Sequence, residues 1–144
     1  MTPPVYFLAA LIAVAALTLA VSASAFSSPL FQVAGVTLLF AGVWLNVRGA
    51  GQFESAGTPI RPGSRGGALV TDGVFRFSRN PMYLGMASTL LGAALALDSA
   101  VALLVTPFFV WVIDRGFVAK EESILEDEFG EAYREYRGQV RRWL

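Results

Sequence analysis

The apolar residues of this chain fall into four blocks separated by polar or glycine-rich breaks. Residues 5–21, 30–47, 82–97 and 100–113 are almost wholly hydrophobic, and the first charged side chain in the sequence is Arg48. A membrane-spanning helix takes about 20 apolar residues, with a range of roughly 17–25. The first two blocks meet that length and the last two fall slightly short. The fourth reaches it if its helix continues past Asp114 while Arg115 snorkels to the interface. A soluble helical hairpin is the other reading of such blocks, but a chain of 144 residues has too little polar material to cover this much apolar surface. The pattern therefore predicts an all-α integral membrane protein with about four transmembrane helices in one domain. Its parts are two N-terminal spans within residues 1–47, a loop over 48–81, a helical hairpin over 82–113 and a helical tail over 114–144. Residues 1–25 lack a basic start, and their apolar run is longer than a signal peptide's, so they read as a retained helix.

Charge sharpens this layout. The 11 Lys and Arg balance the 11 Asp and Glu, yet the basic residues are confined to positions 48–79 and 115–142. With four spans, both stretches lie on one side of the membrane, and the short connections 22–29 and 98–99 lie on the other. All the basic residues then face the cytoplasm, as the positive-inside rule requires. Both termini are expected on that side.

The loop from residue 49 to residue 80 is rich in glycine and also carries Ile60, Leu69, Val70, Val74, Phe75 and Phe77, which are worth burying. Gly66-Gly67 permits a close backbone approach, and Asp72-Gly73 marks a turn. Asn80-Pro81 opens the third helix as N-cap and first helical residue. Any membrane helix can begin that way, but capping does not account for Arg79 and Tyr83 beside it. Together they set a cation, amides, a helix N-terminus and an aromatic ring in one place, and helix N-termini attract carboxylates. Asp98 is expected to cap the fourth helix, and Pro107 to kink it or be tolerated by its neighbours.

Beyond Asp114, residues Phe117, Val118, Ile124, Leu125 and Phe129 form one apolar helical stripe. Glu121 sits on that stripe, four residues from Phe117 and four from Leu125, and Glu122 is related to Val118 in the same way. An acid among apolar neighbours needs a partner, either a ligand or a loop arginine. Glu126, Asp127, Glu128, Glu131 and Glu135 read as a solvated face partnered by Lys120, Arg134 and Arg137. Gly130 stops the helix. The following segment, with Tyr133, Tyr136, Val140 and Trp143, is amphipathic enough to pack back or to rest on the interface.

Composition narrows the chemistry. Charged residues make up 15% of the chain, against about a quarter in soluble domains. The chain has no His and no Cys, which removes the usual zinc and iron–sulfur ligands, disulfides, and serine–histidine or cysteine–histidine catalysis. Neither a metal nor a nucleic-acid partner is expected. Transfer of a group from an activated donor to a nucleophilic acceptor remains open, since positioning and electrostatics can suffice. A cationic donor suits the available carboxylates and aromatics.

The run Leu69-Val70-Thr71-Asp72-Gly73-Val74-Phe75-Arg76-Phe77-Ser78-Arg79-Asn80-Pro81-Met82-Tyr83-Leu84-Gly85 resembles the signature of the isoprenylcysteine carboxyl methyltransferase family. A second block, Glu121-Glu122, Leu125 and Phe129-Gly130-Glu131-Ala132-Tyr133-Arg134-Glu135-Tyr136, follows after a helical hairpin, as in that family. The resemblance covers residues 48–143, and two motifs in register are far more specific than either alone. That family also includes phospholipid and small-thiol methyltransferases.

The resemblance implies an integral-membrane enzyme that binds S-adenosylmethionine in a non-Rossmann pocket. By position the cofactor would meet Gly67, Ala68, Leu69, Val70 and Phe75, the last in place of the family's usual Tyr, then Asn80, Pro81, Met82 and Tyr83, and finally Glu121. Phe117, Glu122 and Arg79 are weaker candidates for substrate binding. Asn80 stands where eukaryotic members commonly carry His, and Phe117 where members acting on prenylated cysteine carry Arg. Two helices before the signature match bacterial members, implying the bacterial inner (plasma) membrane with the site facing the cytoplasm. The expected acceptor is a lipophilic small molecule or membrane lipid offering a carboxylate, amine or thiol. The alternatives are a small four-helix transporter or channel and a non-catalytic assembly subunit. A transporter usually holds an ionisable residue within its spans, and the first two blocks here hold none.

Overall fold

The computed structural model describes residues 2–21, 26, 28–57 and 67–144. Three of its long helices begin on a proline, whose fixed φ suits the first turn and whose missing N–H is not needed there. These are α1 (Pro3–Ala20), α2 (Pro29–Ser55) and α3 (Pro81–Ala96). A second helical run begins as a 3-10 turn at Val101–Leu104 and continues as α4 (Val105–Ile113). It passes through a π segment (Asp114–Val118) into α5 (Ala119–Phe129), and α6 (Glu131–Gln139) follows. The described residues are helical or irregular, with no strand among them.

Among the described residues, α1, α2 and the continuous run Val101–Phe129 are long and apolar enough to cross a membrane. The fourth block thus gains its length as expected, by running on past Asp114. At 16 residues α3 is about 24 Å long, short of the roughly 30 Å hydrocarbon core. It is also the helix most enclosed by protein, burying Pro81, Tyr83, Gly85, Ala87, Thr89, Leu90, Gly92 and Ala94. The outer helices instead expose Leu8, Ile12, Leu19, Leu30, Val33, Phe40 and Trp44, an apolar surface that lipid tails can cover.

The contact between α2 and α3 rests on glycines seven residues apart. A Cβ added at Gly42 would lie 2.5 Å from the Gly85 carbonyl oxygen, and additions at Gly35, Gly85 and Gly92 would strike the facing backbone or Asn46. Small residues let membrane helices touch backbone to backbone, where dispersion replaces the missing hydrophobic drive. Gly35, Gly42, Gly85 and Gly92 are therefore used for packing within the chain. Thr89 Oγ1 donates to the Gly85 carbonyl and Asn46 Nδ2 to the Gly42 carbonyl, so both polar side chains are satisfied on their own helices.

Helix α2 corrects one expectation. The glycine-rich loop was to begin at residue 49, yet the helix runs through Gly49-Ala50-Gly51 to Ser55. Tertiary contacts outweigh the poor propensity of glycine. Gln52 Nε2 donates to the Asp72 carbonyl and Gln52 Oε1 accepts from the Val74 amide, while the Phe53 and Phe75 rings meet edge to face at 5.2 Å. These contacts hold the 3-10 turn Gly73–Arg76 against the end of α2. Pro59, Ile60, Arg61, Pro62, Gly63, Arg65 and Gly66 lie outside the described residues.

At the other end of the bundle, Asp98 has φ 54° and its Oδ1 accepts the Phe26 amide proton at 2.8 Å. This joins the α1–α2 and α3–α4 connections at one end of the bundle. The contact corrects the capping role expected of Asp98, because the Ala102 amide is met by Ser99 Oγ instead. Pro107 lies within α4, just past the change from 3-10 to α geometry. The rest of the core joins Val14 of α1 to Leu90, Ala94, Phe109, Ile113 and Val118.

Candidate active site

The start of α3 and the first turn of α5 meet at the end of the bundle opposite Asp98. Its centre is a hydrogen bond of 2.6 Å from the Tyr83 hydroxyl to Glu121 Oε1. Tyr83 lies in the first turn of α3 and is buried, while Glu121 is half-buried in the first turn of α5. No ion pair reaches Glu121 among the described residues. Of the loop arginines open to it as partners, Arg79 binds Glu122 instead and Arg76 makes no ion pair with it, while Arg61 and Arg65 fall outside the described residues.

Glu122, one residue on, has a different environment. Its Oε1 accepts from Arg79 Nη2 at 2.7 Å and from Arg142 Nε at 3.2 Å, and Arg142 Nη2 closes on Oε2. Arg142 also reaches Asp114, whose Oδ1 accepts the Trp143 indole proton at 3.1 Å. The hydrogen bonds to Glu122 raise the pKa of Arg142 above its ordinary value. Adjacent residues on a helix are about 100° apart, so one glutamate is locked into a four-charge cluster while its neighbour faces Tyr83.

The C-terminal residues lie across the start of α3. The Arg79 amide donates to the Arg141 carbonyl at 3.0 Å, and Arg79 Nη1 donates to the carbonyls of Arg137 and Val140, near the C-terminus of α6. Cations suit such a helix end. Asn80 and Pro81 take the N-cap and first helical positions expected of them, but Asn80 makes no side-chain cap bond: its Nδ2 donates to the Arg142 carbonyl at 3.0 Å, and its backbone amide donates to Ser78 Oγ. Tyr133 and Tyr136 turn the apolar face of α6 inward, and the Tyr136 hydroxyl donates to the Phe75 carbonyl at 2.7 Å. Of the two dispositions open to this segment, it packs back. Burial pushes the Tyr136 hydroxyl well above the ordinary tyrosine range, and burial aided by the Glu122 charge does the same at Tyr133. Arg79 Nε and the Tyr133 hydroxyl are buried without a hydrogen-bond partner among the described residues.

The remaining candidates are distributed around this centre. Gly67, Leu69 and Val70 are half-buried in an extended segment that leads to the 3-10 turn, while Ala68 is exposed. Phe75 is buried against Phe53. Pro81 is fully buried, and Met82 packs over Gly49 of α2. Phe117 is half-buried, its ring 5.4 Å from that of Tyr6 in edge-to-face contact. Arg79 and Glu122, weaker candidates for substrate contact, are each engaged by other parts of the chain. On the outer face, Glu126 pairs with Arg134 and Arg137, and Arg134 also with Glu131, exposed contacts of the kind worth at most about 1 kcal/mol.

Sequence reading missed Asp114, Ser78, Arg142 and Trp143. The available signal was arithmetic: two acids beside an apolar stripe, Asp114 and Glu122, need more cation than Arg79 supplies, and Arg141-Arg142-Trp143 is the nearest unassigned source.

Comparison with known proteins gives the family. The sequence model of the phospholipid methyltransferase family matches residues 30–132, which takes in α2, the loop, α3, α4, α5 and the start of α6. An uncharacterised protein of Haemophilus influenzae is 43% identical over 63 residues, spanning 44% of this chain and all of that protein. The Protein-S-isoprenylcysteine O-methyltransferase of Schizosaccharomyces pombe is 33% identical over 72 residues, half of this chain and 30% of the yeast protein. The chain thus spans under a third of the yeast enzyme it matches. A helical, lipid-compatible fold, two sequence blocks brought together at one end of it, and a family match over most of its length give one conclusion: this chain belongs to the phospholipid methyltransferase family of membrane methyltransferases and resembles its isoprenylcysteine methyltransferase relatives.

Proposed function

We propose that this protein transfers a methyl group from S-adenosylmethionine to a lipophilic acceptor at the cytoplasmic face of a membrane, the bacterial inner membrane being the setting that fits its two-span N-terminal half. The observation that carries this reading is the state of Glu121. Asp114 and Glu122 are matched by arginines, whereas Glu121 meets a phenol and no cation among the described residues. A half-buried carboxylate without a counter-charge is costly and suits a ligand that brings positive charge or donor groups. S-adenosylmethionine fits that donor set through its amino group, its ribose hydroxyls and its sulfonium.

When bound, the cofactor supplies an electrophilic methyl that the acceptor's lone pair takes as the carbon–sulfur bond breaks and its electrons remain on sulfur. The protein's part is placement. Glu121 and Tyr83 orient donor groups of the cofactor. First-turn amides of α3, without intrahelical acceptors, suit its carboxylate. Gly67, Ala68, Leu69 and Val70, with Phe75, Asn80, Pro81 and Met82, wall the pocket and exclude water. Glu122 is held by two arginines and is not available as a base. A carboxylate acceptor needs none, whereas an amine or thiol must give its proton to Glu121 or to water.

The lipophilic side of the reading rests on a groove of about 460 Å³ between α1 and α4, lined by Ala9, Ala10, Ala13, Leu104, Phe108 and Val112 among others. Tyr6 also lines it and meets Phe117, one helical turn before Glu121. An acceptor tail in this groove would bring its head group towards the site, with Phe117 serving as apolar contact. The direct test is labelled methyl transfer from S-adenosylmethionine into a membrane-lipid extract. Label in a lipid fraction supports the reading, and label in none, with correctly folded protein, removes it in favour of a transporter or an assembly subunit.

A further inference from the structure

We propose that the C-terminal strap formed by residues 140–144, with Arg142 at its centre, is a positioning element that sets the rotation of α5 and so holds Glu121 against Tyr83. This inference rests on the cofactor-binding reading above and assigns Arg142 a role in it, although Arg142 lies outside both sequence blocks.

The strap touches the residues that lead into α3, the π segment and α5. Through its backbone it receives the Arg79 amide at Arg141 and the side chains of Ser78 and Asn80 at the Arg142 carbonyl. Through side chains it grips Glu122 on α5 and Asp114 on the π segment. Arg79 completes the ring, since its guanidinium spans Glu122 and the carbonyls of Arg137 and Val140. Two cations and two carboxylates balance, so the cluster is neutral while the whole strap remains tied to the start of α3.

The mechanical consequence follows from helical phase. A π segment such as Asp114–Val118 leaves one extra residue in a turn and is a place where the phase of the following helix can shift. Glu122 is the point at which that phase is fixed on α5. If Glu122 leaves the cluster, α5 can rotate, and Glu121, about 100° away, turns from Tyr83 with it. Arg142 can hold both ends of this arrangement because its planar fork offers separate, fixed donors to two acids, where lysine offers one compact point charge.

The test uses the full-length protein in detergent, with S-adenosylhomocysteine binding measured at a temperature where every variant is folded, alongside hydrogen exchange of the ligand-free protein. Arg142→Gln is expected to weaken binding at least tenfold and to speed exchange at residues 78–84 at least tenfold. Arg142→Lys is expected to fall between that variant and wild type. Arg134→Gln, which removes an exposed cation, leaves both readouts within twofold. If Arg142→Gln does not fold, Trp143→Phe serves in its place, losing only the indole bond to Asp114, with binding about threefold weaker. A strap that merely stabilises the fold would lower the melting temperature and leave affinity unchanged, which overturns the proposal. Wild-type protein that fails to bind the ligand overturns the cofactor reading and the positioning role with it. Wild type and Arg142→Gln binding alike overturns the positioning role alone.

Discussion

The Tyr83 hydroxyl reaches Glu121 Oε1 at 2.6 Å, linking the first turn of α3 to the first turn of α5 across a sequence separation of 38. This bond aims the carboxylate and leaves its second oxygen for a ligand. Tyr83→Phe keeps the ring and its packing while deleting the donor. A typical hydrogen bond contributes about 0.5–1.5 kcal/mol, so S-adenosylmethionine affinity should fall roughly two- to tenfold with the fold intact. Calorimetric titration checks this, and an unchanged affinity would show that the phenol does not orient Glu121.

The glycine contact between α2 and α3 carries the frame on which the site stands. Gly42→Val places new atoms against the Gly85 carbonyl, 2.5 Å from its first added carbon, and overpacking of this kind costs about 1–3 kcal/mol. Gly51 has nothing within 4 Å of an added Cβ, so Gly51→Ala should stabilise α2 by about 0.5–1 kcal/mol. Thermal unfolding in detergent should move in opposite directions for the two variants, and equal shifts would contradict the packing described.

Alkaline pH should loosen the tail. Burial raises the folded-state pKa of Tyr133 and Tyr136 above the value of about 10 held by unfolded tyrosine. Above pH 10 the unfolded chain loses protons that the folded chain retains, so stability is full below that value and declines as pH rises through it. The melting temperature should be flat from pH 8 to 9.5 and fall beyond pH 10. Tyr136→Phe should start lower, for want of its bond to Phe75, and fall less steeply. A parallel slope in the variant would remove Tyr136 as a cause.

The groove between α1 and α4 makes a separate expectation about the acceptor. Ala9 lines it from an exposed position, so Ala9→Phe fills the groove without entering the core. KM for long-chain acceptors should rise several-fold while cofactor affinity stays level. A cofactor effect, or no effect on chain-length preference, would place the acceptor tail elsewhere.

Much of this was legible in the sequence because bilayer residence imposes long apolar blocks and sorts charge by side. The apolar helices and the stop at Gly130 follow from spacing, as does the choice of Glu121 as a candidate. The extension of α2 to Ser55 did not, because Gly49 and Gly51 argue locally for a break and only the contacts of Gln52 and Phe53 oppose it. The separation of Glu121 from Glu122 was equally hidden. Their apolar settings along the helix are alike, and only Arg79 and the distant Arg142 distinguish them. Asn80 is the N-cap residue that Asn before Pro suggests, but the strap supplies a carbonyl that claims its side-chain amide.

The central claim is that Glu121 receives a positively charged cofactor, and titration of S-adenosylmethionine into wild-type and Glu121→Gln protein tests it most directly. The substitution keeps shape and an acceptor for Tyr83 but removes the charge, a change worth about 1.5–3 kcal/mol for a charged hydrogen bond, or roughly ten- to hundredfold in affinity. Saturable binding by wild type, weakened by that factor in the variant, is the expected result; no binding by wild type, or equal binding by both, would contradict the account.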